Sequence, residues 1–142
     1  LADGFYEWQK RDTEDSKLPH FIHLPDHRPF AFAALWEPVQ FQDGVWNACA
    51  ILTTQANSHM QPIHDRMPVI LSQSHQKPWL NGRRDNPDFL KEILQSCHHQ
   101  KLQSYPVGGL VNNPQNDRPE CLDPAIETDL SQGISVQNVL FE

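Results

Sequence analysis

The first half of the chain alternates short apolar runs with polar turns. Strand-like segments cover residues 4–8, 19–24, 30–37 and 45–54, and charged residues, proline and glycine separate them. Short strands joined by tight turns are typical of antiparallel hairpins. The pattern of the first 54 residues predicts an antiparallel sheet or barrel.

The second half changes character after Thr54. A strand is predicted at residues 69–71, Ser72 is positioned to cap a short helix, and Asn86-Pro87 is a typical start for a second one. Apolar residues then recur at helical steps, which predicts a core-facing stripe of Phe89, Leu90, Ile93, Leu94 and Cys97. The rings of Trp36 and Trp46 are also predicted to pack in the core.

Composition narrows the class of protein. A chain of 142 residues with 38% hydrophobic content predicts a single domain over residues 1–142. A formal charge of -7 argues against holding DNA by a general positive field, so any nucleic acid must bind at a local site. Three cysteines without framework spacing indicate reduced thiols, and no apolar run reaches the length of a membrane span. A soluble cytoplasmic protein is expected.

Glu7 is the first candidate for chemistry, because aromatic residues surround it in Gly4-Phe5-Tyr6-Glu7-Trp8. Burial among apolar rings raises the pKa of a carboxyl group toward neutrality, where the group can deliver a proton. Strand alternation places Phe5 and Glu7 on one face and Tyr6 and Trp8 on the other. The alternative is an edge strand whose Glu7 points at water.

His64 is the second candidate, held between Pro62 and Pro68. Imidazole suits proton transfer near neutral pH. Arg66 follows two residues later, so in an extended segment both side chains project from one face and favour an anionic substrate such as phosphate. The alternative is that His64 bonds locally and that Arg66 pairs with Asp65.

Two other arrangements are weaker. A metal site is not expected, because His20 and His23 would point to opposite faces of a strand and His98-His99 has no partner at ligand spacing. A thiol peptidase using Cys49 with His64 stays open as an alternative. Cys49 lies in the apolar strand Ala48-Cys49-Ala50-Ile51, where a thiol usually packs as a small hydrophobe.

Four motifs together carry a family resemblance. They are Gly4-Phe5-Tyr6-Glu7-Trp8; Phe32-Ala33-Ala34-Leu35-Trp36-Glu37; Ile51-Leu52-Thr53-Thr54 with Ala56-Asn57; and Ile63-His64-Asp65-Arg66-Met67-Pro68-Val69-Ile70-Leu71. In order and approximate spacing, this set resembles the SOS response-associated peptidase (SRAP) family, whose members covalently trap abasic sites in single-stranded DNA.

The resemblance implies an α/β fold of the α+β type, mainly an antiparallel β-barrel-like sheet with a few peripheral helices. It also implies a chemistry and a set of roles. In the family, the amine and thiol of a mature N-terminal cysteine, exposed by self-processing, condense with the ring-opened abasic sugar to give a thiazolidine DNA-protein crosslink. Glu7 would be the catalytic acid/base and His64 its partner in proton transfer. Trp8 would stack on or wedge beside the DNA, and Thr53 and Arg66 would bind backbone phosphate. No cofactor is implied.

The resemblance also predicts that the domain is N-terminally incomplete, with the nucleophilic cysteine upstream of Leu1. The expected protein takes part in DNA repair as a peptidase and lyase-like crosslinking enzyme, a monomer associated with the nucleoid, and inactive if that cysteine is absent. Its partner is single-stranded DNA containing abasic sites. The alternative is a noncatalytic single-stranded-DNA-binding module on the same fold.

Overall fold

The computed structural model describes residues 1–11, 17–81, 87–96 and 101–126. Small antiparallel sheets and two helices make up most of this part of the chain, which confirms the predicted fold class. The strands are β1 (Gly4–Lys10), β2 (Lys17–His23), β3 (Ala31–Phe32), β4 (Ala34–Phe41), β5 (Gly44–Ile51), β6 (Thr53–Gln55), β7 (Arg66–Pro68), β8 (Ile70–Leu71) and β9 (Gln103–Pro106). The helices are α1 (Gln73–Leu80) and α2 (Pro87–Ser96), and 3₁₀ turns cover Gly109–Asn112 and Pro119–Leu122.

The largest sheet has the order β1-β2-β9, with both pairs antiparallel. Glu7 lies opposite His20 in this sheet, and Phe5 lies opposite Ile22. Cross-strand partners project from the same face, so Phe5, Glu7 and His20 share one side of the sheet.

The remaining strands meet at a three-way junction of backbone hydrogen bonds. Ala33 N–H donates to Val69 O at 2.8 Å, Val69 N–H donates to Leu52 O at 2.9 Å, and Leu52 N–H donates to Ala33 O at 2.9 Å. Each of these residues interrupts an extended segment, which pairs with a different neighbour on either side of the interruption. The pairs β3-β8, β4-β5 and β6-β7 therefore radiate from one point. The described strand pairs do not close into a barrel.

The main core lies under the Phe5 face of β1 and β2. It contains the buried side chains of Ile22, Leu24, Phe30, Ala56, Met60, Ile63, Met67, Ile70 and Leu102, with Phe5 packed against it. Gly4 is required at the start of β1, because a Cβ there would overlap the ring of Phe21 and lie 2.7 Å from the carbonyl oxygen of Ile22. A second core, around Ala33, Val69, Leu71 and Ile93, joins the junction to α2.

The β4-β5 hairpin departs from the prediction. Trp36 is 70% exposed and Trp46 is 59% exposed, so the expectation that both rings pack in the core is wrong. Cys49, opposite Trp36, is exposed as well rather than packed. The physical reason is that apolar side chains line both faces of this hairpin and no described element covers either face.

Both predicted helices are present. Ser72 stands at the N-cap position of α1, although its hydroxyl bonds Ser74 Oγ at 3.0 Å rather than a backbone N–H of the helix. Helix α2 begins at Pro87, and Ile93 is buried as the apolar stripe predicts. Phe89 is 38% exposed, and Cys97 lies outside the described residues. No helix in the described ranges is long and apolar enough to cross a membrane.

Candidate acid–base site

Side chains of the aromatic motif alternate between the two faces of β1. Phe5 packs against the main core, and Glu7 follows on the same face, partly buried at the edge of that core. Tyr6 lies on the other face, where its hydroxyl donates to Cys121 O at 3.3 Å. Trp8 shares that face and donates from Nε1 to Asn112 Oδ1 at 2.7 Å.

The loop of residues 57–65 brings His64 to the Glu7 face. Asn57 organises this loop, because its side-chain Oδ1 accepts from the N–H of His59 at 3.1 Å and of Met60 at 3.0 Å. Met60 and Ile63 anchor the loop in the main core, and the His64 N–H donates to Met60 O at 2.9 Å. The loop therefore folds as consecutive turns, and extended structure resumes only at Arg66.

Gln9 ties this loop to β1. Its side-chain amide donates to the carbonyl oxygen of Pro62 at 2.9 Å, across 53 positions of sequence. Gln9 lies two residues after Glu7, on the same strand face, and Pro62 lies two residues before His64. One hydrogen bond thus fixes the strand that carries the carboxyl group to the loop that carries the imidazole.

Burial raises the pKa of Glu7 above its ordinary value of 4.5. A positive charge on His64 and a hydrogen bond from the Trp8 backbone act in the opposite direction, and the Asp65 carboxylate raises the pKa further. The charge of His64 therefore acts on the Glu7 carboxyl group, although the two residues lie far apart in sequence. The alternative of a Glu7 that points into bulk water does not describe this side chain.

His64 is held through one ring nitrogen. The N–H of Arg66 lies 3.0 Å from Nδ1 and can donate to it, and a proton on Nδ1 has acceptors of its own, so either tautomer of the neutral ring is held at this nitrogen. On protonation, Nδ1–H has two acceptors within reach, Asp65 Oδ1 at 3.2 Å and Arg66 O at 3.1 Å. Nε2 makes no hydrogen bond to any described residue. Local hydrogen bonds at Nδ1 therefore orient the ring. They leave Nε2 free of described partners, so the local bonding expected as an alternative does not block a proton transfer at that nitrogen.

Arg66 lies beside the acid–base pair, on the exposed face of β6-β7. Its Nη2 donates to Thr53 Oγ1 at 2.7 Å and to Thr53 O at 2.8 Å, and its Nε lies 3.3 Å from Oγ1. Asp65 contacts His64 instead, and Arg66 makes no ion pair within the described part of the chain. The structure thus unites Thr53 and Arg66 as an exposed, uncompensated positive edge.

The other candidates lie apart from this site. The indole nitrogen of Trp8 bonds Asn112 on the face of β1 opposite Glu7, so its assigned role in stacking stays a prediction. Cys49 lies on the β4-β5 hairpin and makes no hydrogen bond to a histidine within the described ranges. Across those ranges, no group of three or more His, Cys, Asp or Glu side chains could hold a metal ion.

Sequence reasoning missed Gln9, His20 and Asn57 as parts of the site. Gln9 could have been found from its position two residues after Glu7 on the same strand face. His20 is identified only by the register of β1 and β2, which places it opposite Glu7. Asn57 was noted only as part of a motif, and its action as a turn acceptor becomes visible in the fold.

Fold and site together define a class of protein: an α+β domain of small antiparallel sheets that holds a partly buried carboxyl group beside an imidazole. The family described as SOS response associated peptidase (SRAP) matches residues 1–114. The chain belongs to the SRAP family, as its four motifs predict.

Relatives of this chain carry names that describe DNA processing. It is 42% identical over 123 residues to the abasic site processing protein YoaM of Bacillus subtilis (strain 168), a match that covers 86% of this chain and 54% of YoaM. It is 32% identical over 150 residues to the abasic site processing protein HMCES of Xenopus tropicalis, with 90% of this chain and 43% of HMCES covered. The chain thus spans about half the length of the curated relatives it matches.

A solved structure supports the fold. A protein from Bacteroides thetaiotaomicron superposes with a TM-score of 0.70 at 24% sequence identity, covering 88% of this chain and 55% of that one. At this level of identity, the likeness shows the fold alone.

Proposed function

We propose that this chain supplies the acid–base pair and a phosphate-binding edge of a protein that processes abasic sites in single-stranded DNA. The observation that supports the proposal is the raised pKa of Glu7 together with the electrostatic effect of His64 on that carboxyl group, while Nε2 of His64 bonds no described residue. Such a pair can give and take protons near neutral pH. The names of the two relatives supply the proposed substrate class.

In the proposed reaction, the nucleophile is the N-terminal cysteine that the family resemblance predicts upstream of Leu1, in a polypeptide longer than this chain. Opening of the abasic sugar frees an aldehyde, and the cysteine amine adds to its carbon. Loss of the hydroxyl as water gives an imine, and the thiol then adds to the C=N bond to close a thiazolidine. The sum is aldehyde plus aminothiol giving thiazolidine plus water. Glu7 protonates the departing hydroxyl, and His64 accepts a proton from the attacking amine.

Thr53 and Arg66 bind the DNA backbone in this proposal. A guanidinium held by its neighbour and not paired with an acid presents a positive charge to phosphate oxygens. This local site suits a chain with a formal charge of -7, which has no general attraction for DNA. Trp8 is proposed to contact an unpaired base from the neighbouring face.

The test uses the longer polypeptide with its N-terminal cysteine and a single-stranded oligonucleotide that contains one abasic site. The expected product is a band of reduced mobility that survives denaturation. Glu7→Gln should slow its formation by about 100-fold or more, since that is the usual contribution of general acid–base catalysis. Glu92→Gln, an exposed position on α2, is the matched control and should react at the wild-type rate.

Two other experimental outcomes would favour a different function for this chain. Salt-sensitive binding without a covalent product would favour the noncatalytic single-stranded-DNA-binding module. Cleavage of peptide substrates that Cys49→Ser abolishes would favour a thiol peptidase instead.

Self-processing belongs to the same proposal. Removal of the residue before the cysteine would expose its amine, and the Glu7–His64 pair could activate water for that hydrolysis. Mass spectrometry of the purified Glu7→Gln polypeptide should then find the preceding residue retained. Its complete removal would separate self-processing from this site.

A further inference from the structure

We propose that His20 and Gln9 are positioning residues, which act as a two-link hydrogen-bonded relay to hold the His64 loop against Glu7. Neither residue belongs to the acid–base pair itself. Their catalytic consequence rests on the function proposed above, whereas their effect on the geometry of Glu7 can be measured without it.

The carbonyl oxygen of Pro62 determines the directions of both hydrogen bonds in the relay. The carbonyl oxygen of Pro62 can only accept, so the Gln9 amide nitrogen must face it, at 2.9 Å. The Gln9 oxygen Oε1 therefore faces Nε2 of His20, at 3.2 Å. Since Oε1 only accepts, His20 must carry its proton on Nε2. The relay thus runs from His20 to Gln9 to the Pro62 carbonyl.

The surroundings of His20 keep its ring in that single form. Nδ1 is buried and bonds none of the residues that the structure describes, so a second proton there would find no acceptor among them. Burial correspondingly lowers the pKa of His20 below its ordinary value of 6.5. Near neutral pH the ring is therefore a fixed donor and not a proton carrier, a role different from that of His64.

The relay acts at the point where the loop meets the strand. Glu7 and His20 are direct cross-strand partners, and Gln9 lies next along the same face. Besides the Gln9 contact, the apolar anchors Met60 and Ile63 and the bond of His59 to Ser104 of β9 hold the loop near this sheet, but neither ties Pro62 to the strand that carries Glu7. A displacement of about 1 Å at a catalytic group can reduce a rate by on the order of 100-fold.

Titration of the Glu7 carboxyl carbon by NMR in this 142-residue chain tests the relay directly. Gln9→Met preserves length and removes both hydrogen bonds. Loosening the loop exposes Glu7 to water, which lowers its pKa. It also moves the His64 charge away, which raises the pKa, but burial is the larger of the two causes. The Glu7 pKa should therefore fall toward its ordinary value. Gln61→Met, an exposed position in the same loop, is the matched control.

His20 is tested by a pair of substitutions. His20→Leu should reproduce the effect of Gln9→Met, whereas His20→Gln keeps an N–H donor near the position of Nε2 and should restore wild-type titration of Glu7. If His20→Leu does not fold, Gln9→Met and His20→Gln still decide the question. A Glu7 titration that Gln9→Met leaves unchanged or moves to higher pH overturns the relay.

The catalytic consequence is measured separately in the longer polypeptide. Gln9→Met should lower the maximal rate of adduct formation by roughly 10- to 100-fold while DNA affinity changes little, because the relay touches the acid–base pair and not the phosphate edge. If wild type forms no adduct, the proposed function fails, and the Glu7 titration still decides on the relay. Altered titration with an unchanged rate would reject the catalytic role of the relay.

Discussion

Arg66 binds Thr53 across β6-β7. Its Nη2 donates both to the hydroxyl oxygen of Thr53, at 2.7 Å, and to the carbonyl oxygen of Thr53, at 2.8 Å. A guanidinium that is fixed in this way and pairs with no described carboxylate keeps its charge for an external anion. The backbone of Arg66 contacts Nδ1 of His64, so the residue that carries this charge borders the candidate acid–base site.

Arg66→Gln should weaken binding of single-stranded DNA in a salt-dependent manner. One phosphate contact contributes about 0.7 to the slope of log affinity against log salt for single strands, so the slope should become shallower by about that amount. Fluorescence anisotropy with a labelled oligonucleotide over a series of salt concentrations measures it. Lys91→Gln removes the same charge from the exposed surface of α2 and serves as control. Equal slopes for the two variants would argue against a phosphate contact at Arg66.

Glu7 should make the stability of the folded chain depend on pH. Its folded pKa is raised, chiefly by burial, so its contribution is fully present below the unfolded pKa and is lost as pH rises through the folded pKa. Glu7→Gln, which cannot ionise, should therefore gain in Tm relative to wild type as pH rises from about 4 to 7. Thermal unfolding followed by circular dichroism at each pH measures this difference.

Comparing wild type with Glu7→Gln at the same pH isolates the contribution of Glu7 to the pH dependence of Tm. The lowered pKa of His20 has the opposite sign, since its contribution is lost as pH falls, but that term is present in both proteins. Glu92→Gln, on the exposed surface of α2, should show no such trend. A difference in Tm that stays constant across the pH range would mean that the surroundings of Glu7 do not disfavour its carboxylate form.

The sequence could predict the strands and the two groups at the centre of the site. Glu7 among aromatic rings and His64 between prolines are local patterns, and the charge of His64 does act on the Glu7 carboxyl group. Three of the four motifs also converge at the junction of Ala33, Leu52 and Val69. That convergence, and the Gln9 bond to Pro62, depend on long-range pairing, which no local pattern encodes.

Burial was the least predictable property. Trp36 and Trp46 belong to runs that are typical of core strands, yet they lie exposed on a hairpin with two apolar faces. An apolar pattern indicates that a face favours burial and does not identify what covers it. The extended segment assumed around His64 failed for a related reason, because Asn57 folds residues 57–65 into turns through contacts that are not visible in hydrophobic periodicity.

Ala33→Val should destabilise the chain at the three-way junction. Ala33 is fully buried, at 0% exposure, and its backbone bonds both Val69 and Leu52, so the added methyl groups have no free space. Overpacking of this kind costs about 1–3 kcal/mol. Chemical denaturation measures the free energy of unfolding. Ala50→Val, on exposed β5, should lie within about 0.5 kcal/mol of wild type. Equal stability of the two variants would show that the junction is not tightly packed.

The β4-β5 hairpin should be the least protected element of this 142-residue chain in native-state hydrogen exchange. Two strands without a covered face are marginal in water, whereas β2 lies between two neighbouring strands and buries Ile22 completely. Amides in the hairpin should therefore exchange by local opening while those of β2 exchange only on global unfolding. Trp36→Ser should correspondingly lower the free energy of unfolding by less than about 0.5 kcal/mol, against about 2–5 kcal/mol for Ile22→Ala.

Protection of the hairpin equal to that of β2 would mean that its apolar faces are covered in solution. Repeating the exchange over a range of protein concentrations would then show whether a second copy of the chain provides the cover.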